Sequence, residues 1–474
     1  MISSYLCSQM KRFNRPLAPL LPPAISLAAG IVAGTKLSVA WPWLAGAVVV
    51  ALLAWRWPRV QSVCLWLCFL MLGMVIAPKE EEPAPDGIWL EAVVASVPTE
   101  KPKTMMAELL IAPKGERRRC YFSKDERSQR LSVGTNLLVR IHDGQFINYR
   151  DWQPGGEAFN KISSVQRLRL RALQWRGRAM NRLGLHPRSA GEERDAEAVL
   201  AAMVLGDKSA LTRELRQSYA QTGASHILAL SGLHLSIIYL LLTRLMQGRR
   251  RFWLSQVLTV LGIWAFALLT GLSVSVVRAA IMLTVYALFE LGGRRHAPLG
   301  VLSFTAIVMM LADSRTVFDV GFQLSFMSMV SILLFVPLFE RPLSDKWMAR
   351  HRMVHWFISL LTVSVAAQLG TAPLVAYYFG QFPTWFLLTN IIVVPLAMLI
   401  LYGAVIALLI PQAGGIIVFL AKLLNTAIDQ LSQLPLATIS GLRPSVLQVV
   451  MIYVVIAVFY QIGLLWNWRK TTQD

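Results

Sequence analysis

Hydrophobic stretches of about 20 residues, several of them without any charge, recur along the chain and limit what it can fold into. A helix needs about 20 apolar residues to cross the hydrocarbon core of a bilayer. Because that core holds no water, the backbone amides of a crossing segment must bond within it, which favours helices. Charged residues make up only 15% of the chain, whereas soluble domains carry about a quarter. The sequence therefore predicts an all-α polytopic membrane protein.

Twelve hydrophobic segments are predicted to cross the membrane. Their predicted bounds are 17–35, 40–55, 61–77, 226–246, 253–272, 274–291, 297–312, 320–338, 356–377, 385–409, 414–435 and 446–466. One of them is ambiguous, because it contains Lys422 and Asp429, seven residues apart and hence on one helical face. It is either a full crossing that lines a polar space or a re-entrant or interfacial helix.

The basic loops predict the orientation. The chain has 46 Lys and Arg against 26 Asp and Glu, a formal net charge of +20. Lys and Arg accumulate in cytoplasmic loops. Twelve crossings place both termini and all the basic stretches on that same side, namely 11–15, 56–59, 248–251, 294–295, 340–355 and 469–470.

This orientation places the segment 79–162, which has no long hydrophobic stretch, outside the cytoplasm. Short runs rich in Val, Ile and Leu, at 88–97, 104–112 and 136–142, are separated by Pro, Gly and charged turns and predict a small β-domain. Four regions follow: three helices in 1–78, the β-domain in 79–162, a basic amphipathic helix and linker in 163–225, and a helical bundle in 226–474.

The predicted amphipathic helix, 163–185, has an apolar and a basic face. The apolar face is predicted to hold Val165, Leu168, Leu173, Trp175, Met180 and Leu183. The basic face is predicted to hold Arg167, Arg171, Arg178 and Arg182. Anionic lipid headgroups would bind such a face, and so would the phosphates of a nucleic acid. The sequence leaves both partners open.

Polar residues in and beside the predicted crossings are the candidates for a substrate path, because polar groups in a bilayer usually face a cavity or another helix. The candidates are Asp207, Lys208, His226, Ser231, His234, Arg278, Gln323, Gln368 and Asn390. For any single one of them, a helix–helix hydrogen bond or a charge that snorkels from a helix end is the more common explanation. As a group they predict a bundle with a hydrated interior.

Motifs of enzymes and metal sites were sought without success. The sequence has no H-E-x-x-H, P-loop, G-x-S-x-G or C-x-x-C motif. We therefore expect no cofactor, no metal and no enzymatic activity, with energy supplied by another subunit or an ion gradient. Two alternatives stay open: a membrane-embedded hydrolase using Ser231 and His234, and a transporter of a smaller anion.

The run from Ser225 to His234, SHILALSGLH, closely resembles the SHLLAISGLHV signature of the competence domain of the ComEC family. Further blocks resemble family motifs in the same order, at 205–208, 270–273, 277–282, 319–326, 368–373, 378–380 and 390–395. The resemblance covers about 195–465. Ahead of it, three helices and a small β-domain are similar to the family's layout, in which that domain looks like an OB-fold.

The resemblance implies a channel in the bacterial inner membrane that carries single-stranded DNA during natural transformation. It implies other competence proteins as partners: a DNA receptor, a cytoplasmic ATPase or helicase, and a separate nuclease. Many family members end in a metallo-β-lactamase-like domain with an H-x-H-x-D-H motif, and none of the seven histidines here forms that motif. We therefore expect any nuclease to be another protein.

Overall fold

The computed structural model describes residues 19–37, 41–78, 87–101, 103–113, 115–141, 146–183, 191–230, 232–246, 252–291, 298–340, 348, 350–409 and 414–471. Ser231 and the basic stretches 11–15, 248–251 and 294–295 lie outside these residues. The described part is mostly helical, with one small curled sheet, and is that of a membrane protein.

Three apolar helices, α1 (Leu21–Gly34), α2 (Trp41–Leu53) and α3 (Pro58–Ile76), form where the first three hydrophobic segments were predicted. Glycines bring α1 and α3 into close contact. A Cβ atom at Gly30 would collide with the carbonyl oxygen of Leu70, and one at Gly73 with that of Leu27. Such small residues let helices in a membrane pack backbone to backbone.

The sheet occupies the predicted β-domain. Its strands are β1 (Trp89–Val94), β2 (Thr99–Glu100), β3 (Thr104–Ile111), β4 (Glu116–Ser123), β5 (Asn136–Arg140), β6 (Phe146–Ile147) and β7 (Trp152–Pro154). Strand β1 pairs antiparallel with β3 and β5, and β3 pairs antiparallel with β4. Strand β4 pairs parallel with β6. Alternate residues such as Leu109, Phe122 and Leu137 fill the core on one face.

Short helices α4 (Glu126–Gln129) and α5 (Ala158–Lys161) precede the long basic helix α6 (Ser164–Leu183). Leu170 of α6 packs with Val93 and Leu110 on the second face of the sheet. The amide of Gln166 donates to the carbonyl of Gly115 at 3.0 Å, and that of Gln174 donates to Val133 at 3.0 Å. The first half of helix α6 is therefore bound to the β-domain.

The burial of α6 does not follow the predicted division into an apolar face and an arginine face. Leu168 and Trp175 are 43% and 47% exposed, on the same side as exposed Arg171 and Arg178. The helix buries Leu170, Ala172 and Arg176 instead. Because α6 contacts both the β-domain and the helical bundle, its buried residues do not follow the single apolar face that the sequence predicts.

The bundle follows in chain order. Its helices are α7 (Glu192–Leu205), α8 (Arg213–Gln221), α9 (Gly232–Met246), α10 (Phe252–Leu269), α11 (Val274–Leu291), α12 (Pro298–Ala312), α13 (Val320–Glu340), α14 (Arg352–Phe379), α15 (Phe386–Leu409), α16 (Gly414–Ser432) and α17 (Val446–Thr471). Six described helices are long and apolar enough to cross a membrane: Pro58–Ile76, Val320–Glu340, Met353–Phe379, Phe386–Ala407, Gly414–Ser432 and Val446–Leu465. The other predicted crossings coincide with shorter apolar helices of 10–17 residues.

Helices α15 and α16 pack side by side and are tied together by a two-stranded ribbon. Strand β8 (Gln381–Pro383), just before α15, pairs antiparallel with β9 (Thr438–Ser440), just after α16. The ambiguous segment therefore runs back along α15 to the end at which α15 began. Its buried side chains, including Leu424 and Ile428, pack with α7, α8 and α15. Its polar side carries Lys422, which contacts Glu193 at 3.3 Å.

Candidate functional site

Sequence blocks that lie far apart in the chain meet at one end of the helices. Gly206 packs against Leu230 and lies close to the carbonyl of Thr270. Arg278, in the first turns of α11, donates to the carbonyl of Gly321 at the start of α13. These contacts involve five of the blocks that resemble ComEC motifs, namely 205–208, 225–234, 270–273, 277–282 and 319–326.

Two further contacts connect these blocks into a closed ring. The hydroxyl of Tyr378, near the end of α14, donates to Oε1 of Gln323 at 2.8 Å. Pro383 of strand β8 packs against Gly223, which begins the turn carrying His226. We call the connected segments 205–208, 223–230, 270–278, 319–323 and 378–383 the motif ring.

Arg278 connects two segments of the motif ring, 270–278 and 319–323, and is 5% exposed. Its Nη1 donates to the Gly321 carbonyl at 3.0 Å, and its Cζ lies 5.9 Å from the centre of the Phe326 ring. Asp319, whose Oδ1 accepts from the amide of Phe322 at 2.7 Å, adds a negative charge nearby. A carbonyl, an aromatic face and a carboxylate thus compensate the buried guanidinium.

Asp207 is held in a second buried contact, with Arg176 of α6. Nη2 of Arg176 lies 3.8 Å from Oδ1 of Asp207, and their side chains are 9% and 8% exposed. Nη1 of Arg176 also donates to the carbonyl of Gly206 at 3.3 Å. Burial lowers the pKa of Arg176, and the Asp207 charge opposes that shift. Sequence patterning did not single out Arg176, because it lies among five other arginines in 163–185.

The other candidates have different surroundings. Lys208 and His226 are exposed, and Nδ1 of His226 lies 3.0 Å from the carbonyl of Gly223. His234, in the first turn of α9, is 3% exposed and lies near His226. Gln323 is half-buried, and its Nε2 donates to the carbonyl of Val317 at 2.9 Å.

Gln368 and Asn390 lie on α14 and α15, away from the contacts of the ring, and both are half-buried. Of the α6 arginines, Arg171 and Arg178 are exposed, Arg167 is half-buried, and the side chain of Arg182 lies outside the described part. The structure thus brings Asp207, Lys208, His226, Arg278 and Gln323 into the ring. It does not bring Gln368, Asn390, Arg167, Arg171 or Arg178 into those contacts.

Several buried polar atoms of the bundle have no hydrogen-bond partner among the residues that the structure describes. They are Ser273 Oγ, Ser331 Oγ, Thr389 Oγ1, Asn390 Oδ1 and Asn425 Nδ2. Burying a polar atom without a partner costs about 1–3 kcal/mol in proteins. These atoms are spread over four segments of the bundle: the turn before α11, and helices α13, α15 and α16.

A basic surface on the β-domain was missed by the sequence analysis. In β4, Cys120 and Phe122 point into the core, while Arg117 and Arg119 are exposed and Tyr121 is half-buried. Neighbouring Arg169 of α6 has its pKa lowered to about 10, by burial first and by Arg117 second. The available signal was the alternation of Arg117, Arg119 and Tyr121 with Cys120 and Phe122, which fits a strand.

Comparison with known proteins identifies relatives. Residues 203–468 match the family model described as Competence protein. ComE operon protein 3 of Bacillus subtilis (strain 168) is 31% identical over 222 residues, 46% of this chain and 27% of that protein. Recombination protein 2 of Haemophilus influenzae is 27% identical over 252 residues, 50% of this chain and 30% of that protein.

A third relative, an uncharacterized protein of Aquifex aeolicus, is 32% identical over 197 residues, 41% of this chain and 44% of its own length. The chain thus matches less than half the length of each of these relatives. No solved structure matches it. Because the matched family model covers more than half of the 474 residues and includes every segment of the motif ring, the chain belongs to the competence protein family, whose ComEC members it resembles.

Proposed function

We propose that this protein is a channel that carries single-stranded DNA across the bacterial inner membrane during natural transformation. The observation that carries the proposal is the motif ring. Segments that the competence family model covers meet at one end of an apolar bundle, and this bundle contains buried polar atoms without hydrogen-bond partners among the described residues. A hydrated strand needs such groups to replace lost water as it passes between apolar helices.

The proposed topology has twelve crossings, with both termini in the cytoplasm and the motif ring on the outer side. Helices occupy all twelve predicted segments, which supports this count. The pairing of β8 with β9 supports a crossing by α16, because the strand that follows α16 returns to the end where α15 began.

The β-domain is proposed to be OB-like and to receive the strand. An OB-fold has three consecutive antiparallel strands, a fourth strand beside the first, and a fifth parallel to the third, and β1, β3, β4, β5 and β6 have these pairings. Such domains bind single strands by stacking bases on aromatic side chains and pairing phosphates with basic ones. Tyr121, with Arg117 and Arg119, supplies both on β4.

Within the bundle, we assign the candidates two different roles. Arg278 and Asp207 are buried in contacts with protein groups, and they position the ring rather than touch the strand. Lys208 and His226 are exposed at the ring and are proposed to contact phosphates there. Deeper in the bundle, Gln368 and Asn390 are proposed to contact the strand along the path. Ser231 and His234, in the same signature run, are proposed to lie beside the path.

Other components complete the process. The proposed partners are a DNA receptor, a cytoplasmic ATPase or helicase that pulls the strand, and a separate nuclease that removes its complement. No cofactor is assigned to this chain.

Uptake of labelled DNA tests the proposal. A deletion strain should bind DNA at its surface but accumulate none that resists added nuclease, and the wild-type gene should restore uptake. Arg278→Ala and His234→Ala should reduce uptake at least tenfold. Gly46→Ala is the control, because a Cβ atom there meets nothing within 4 Å. Transformation at the normal frequency in the deletion strain would sink the proposal.

Purified protein in vesicles separates the alternatives. A channel for DNA should admit a labelled single-stranded oligonucleotide and show no preference for inorganic phosphate over it. Transport of phosphate alone would indicate a carrier of small anions. Release of product from lipid or peptide without any nucleic acid, lost on His234→Ala, would indicate a hydrolase.

A further inference from the structure

Helix α6 presents an exposed stripe that neither the β-domain nor the bundle covers. Val165, Leu168, Arg171, Trp175 and Arg178 follow one another at intervals of three or four residues and are all exposed. Such spacing places them along one side of the helix. Val165 is 75% exposed, which is the largest exposed fraction among the three apolar side chains of this set. We call these five residues the α6 stripe.

The position of α6 places the stripe near the edge of the hydrocarbon layer. Leu173, on the other side of the helix, packs against Gly271, two residues beyond the end of the apolar helix α10. The end of an apolar helix marks the depth at which backbone groups can again bond to water. Helix α6 is therefore held at the level of the lipid headgroups.

The side chains of the α6 stripe indicate which partner it binds. Aliphatic side chains, an indole and arginines on one helical face match the boundary between acyl chains and phosphates, where Trp and Arg both accumulate. A nucleic acid would use the arginines and the indole, but it gains little from the exposed Val165 and Leu168.

We propose that the α6 stripe docks on the outer surface of the bilayer, with Leu168 and Trp175 at the acyl boundary and Arg171 and Arg178 on anionic phospholipid headgroups. The stripe thereby anchors the β-domain, to which α6 is bonded through Gln166 and Gln174. Arg171 and Arg178, two of the candidates for DNA binding, are thereby assigned to lipid, and DNA binding on the β-domain is assigned to β4.

A spin label at position 168 measures the docking in the full chain. The label is attached to Leu168→Cys after the native cysteines are replaced by alanine, and the protein is reconstituted into vesicles. One set contains phosphatidylcholine alone, and the other contains equal parts of phosphatidylcholine and phosphatidylglycerol. In the vesicles that contain phosphatidylglycerol, the label should become accessible to oxygen and shielded from a water-soluble nickel relaxant. A label at Gln129→Cys, on the exposed side of α4, should stay aqueous in both sets.

The arginines give the matched comparison. Arg171→Gln with Arg178→Gln should lower the ratio of docked to undocked label by roughly 25-fold, about fivefold for each charge. Arg127→Gln with Arg130→Gln, which removes two exposed charges elsewhere, should leave the ratio unchanged.

An aqueous label in both vesicle sets would overturn the proposal, and shielding only after single-stranded DNA is added would assign the stripe to nucleic acid instead. Because the vesicles contain no DNA, failure here is distinct from failure of the channel proposal.

Discussion

Arg176 and Asp207 form a buried ion pair that joins the long basic helix to the motif ring, with 3.8 Å between Nη2 and Oδ1. The same helix donates hydrogen bonds from Gln166 and Gln174 to the β-domain. One helix therefore links the surface proposed to receive DNA to the ring proposed to admit it.

Breaking that ion pair should destabilise the protein. Arg176→Gln leaves the carboxylate of Asp207 buried without its counter-ion, which typically costs about 3–5 kcal/mol. We expect a lower midpoint of thermal unfolding for the purified protein in detergent. Arg178→Gln is the control, since exposed substitutions usually change stability by less than about 0.5 kcal/mol.

The double variant Arg176→Gln with Asp207→Asn removes both charges and should recover part of the loss. The asparagine oxygen still accepts from the amide of Ser209, as Asp207 Oδ1 does at 3.0 Å. If the double variant were no more stable than Arg176→Gln alone, the charge pairing would not be what holds α6 to the ring.

The arginines of β4 should set the salt dependence of DNA binding. For single strands, the slope of log affinity against log salt falls by about 0.7 for each phosphate contact removed. Arg117→Gln with Arg119→Gln should therefore reduce the slope by about 1.4, measured with a fluorescent oligonucleotide and the full chain in detergent. Arg127→Gln with Arg130→Gln makes the same change in net charge on α4 and beside it, and should leave the slope as it is.

Tyr121 should affect affinity in a different way. Loss of one stacked base costs about 1–3 kcal/mol, so Tyr121→Ala should weaken binding roughly tenfold or more without changing the salt slope. Tyr121→Phe keeps the ring and should bind as the wild type does. Equal weakening by both substitutions would argue against stacking.

Close packing of α1 on α3 should not tolerate a methyl group. Gly30→Ala and Gly73→Ala each place a Cβ atom against backbone of the neighbouring helix, which cannot rotate away. Overpacking of this kind typically costs about 1–3 kcal/mol. Protease resistance of the N-terminal helices in membranes reports the loss.

Gly46→Ala provides the comparison within the same three helices. Its Cβ atom meets nothing within 4 Å, so the substitution should be neutral or stabilising by up to about 1 kcal/mol through helix propensity. Equal sensitivity at all three glycines would contradict the packing that the structure has.

Cys120 should be inert towards maleimide while the β-domain is folded. Its thiol is 1% exposed, and burial raises its pKa to about 11. Because the thiolate is the reacting form, labelling near pH 8 should require unfolding. Gln129→Cys in a background without other cysteines should label quickly, and rapid labelling of Cys120 would show an open core.

The raised pKa of Cys120 also predicts that the stability of the β-domain depends on pH. The folded state holds the Cys120 proton more tightly than the unfolded chain does, whose pKa is the ordinary 9.0. Unfolding therefore releases a proton between about pH 9 and pH 11, and the β-domain loses stability as pH rises through that window. Cys120→Ala should flatten this part of the profile.

The elements were predictable where their pattern is local. Helices occupy all twelve hydrophobic segments, because runs of apolar residues of that length leave few other structures in a membrane. Strands β1, β3 and β5 were predicted from their Val, Ile and Leu residues. Strand β4 was not, because the three arginines in Glu116–Ser123 conceal the alternation of Cys120 and Phe122.

Contacts between distant segments were not predictable. Periodicity assigns a residue to one side of its own helix, but it does not identify the neighbour on that side. Arg278 was therefore a candidate for the substrate path, whereas its guanidinium donates a hydrogen bond to the carbonyl of Gly321. Likewise α6 has the composition of a helix with one apolar face, yet its two protein neighbours bury Leu170 and Arg176 and leave Trp175 exposed.

The ribbon of β8 and β9 restricts how the bundle can move. It closes the chain from Gln381 to Ser440 into a loop whose two ends cannot slide apart without losing backbone hydrogen bonds. We therefore expect helices α15 and α16 to tilt together as a rigid pair. The pivot of this motion is the ribbon, which lies beside Gly223. Any widening between these two helices and their neighbours is expected to be largest at the end remote from the motif ring, so the two mouths of the proposed passage would open by different amounts.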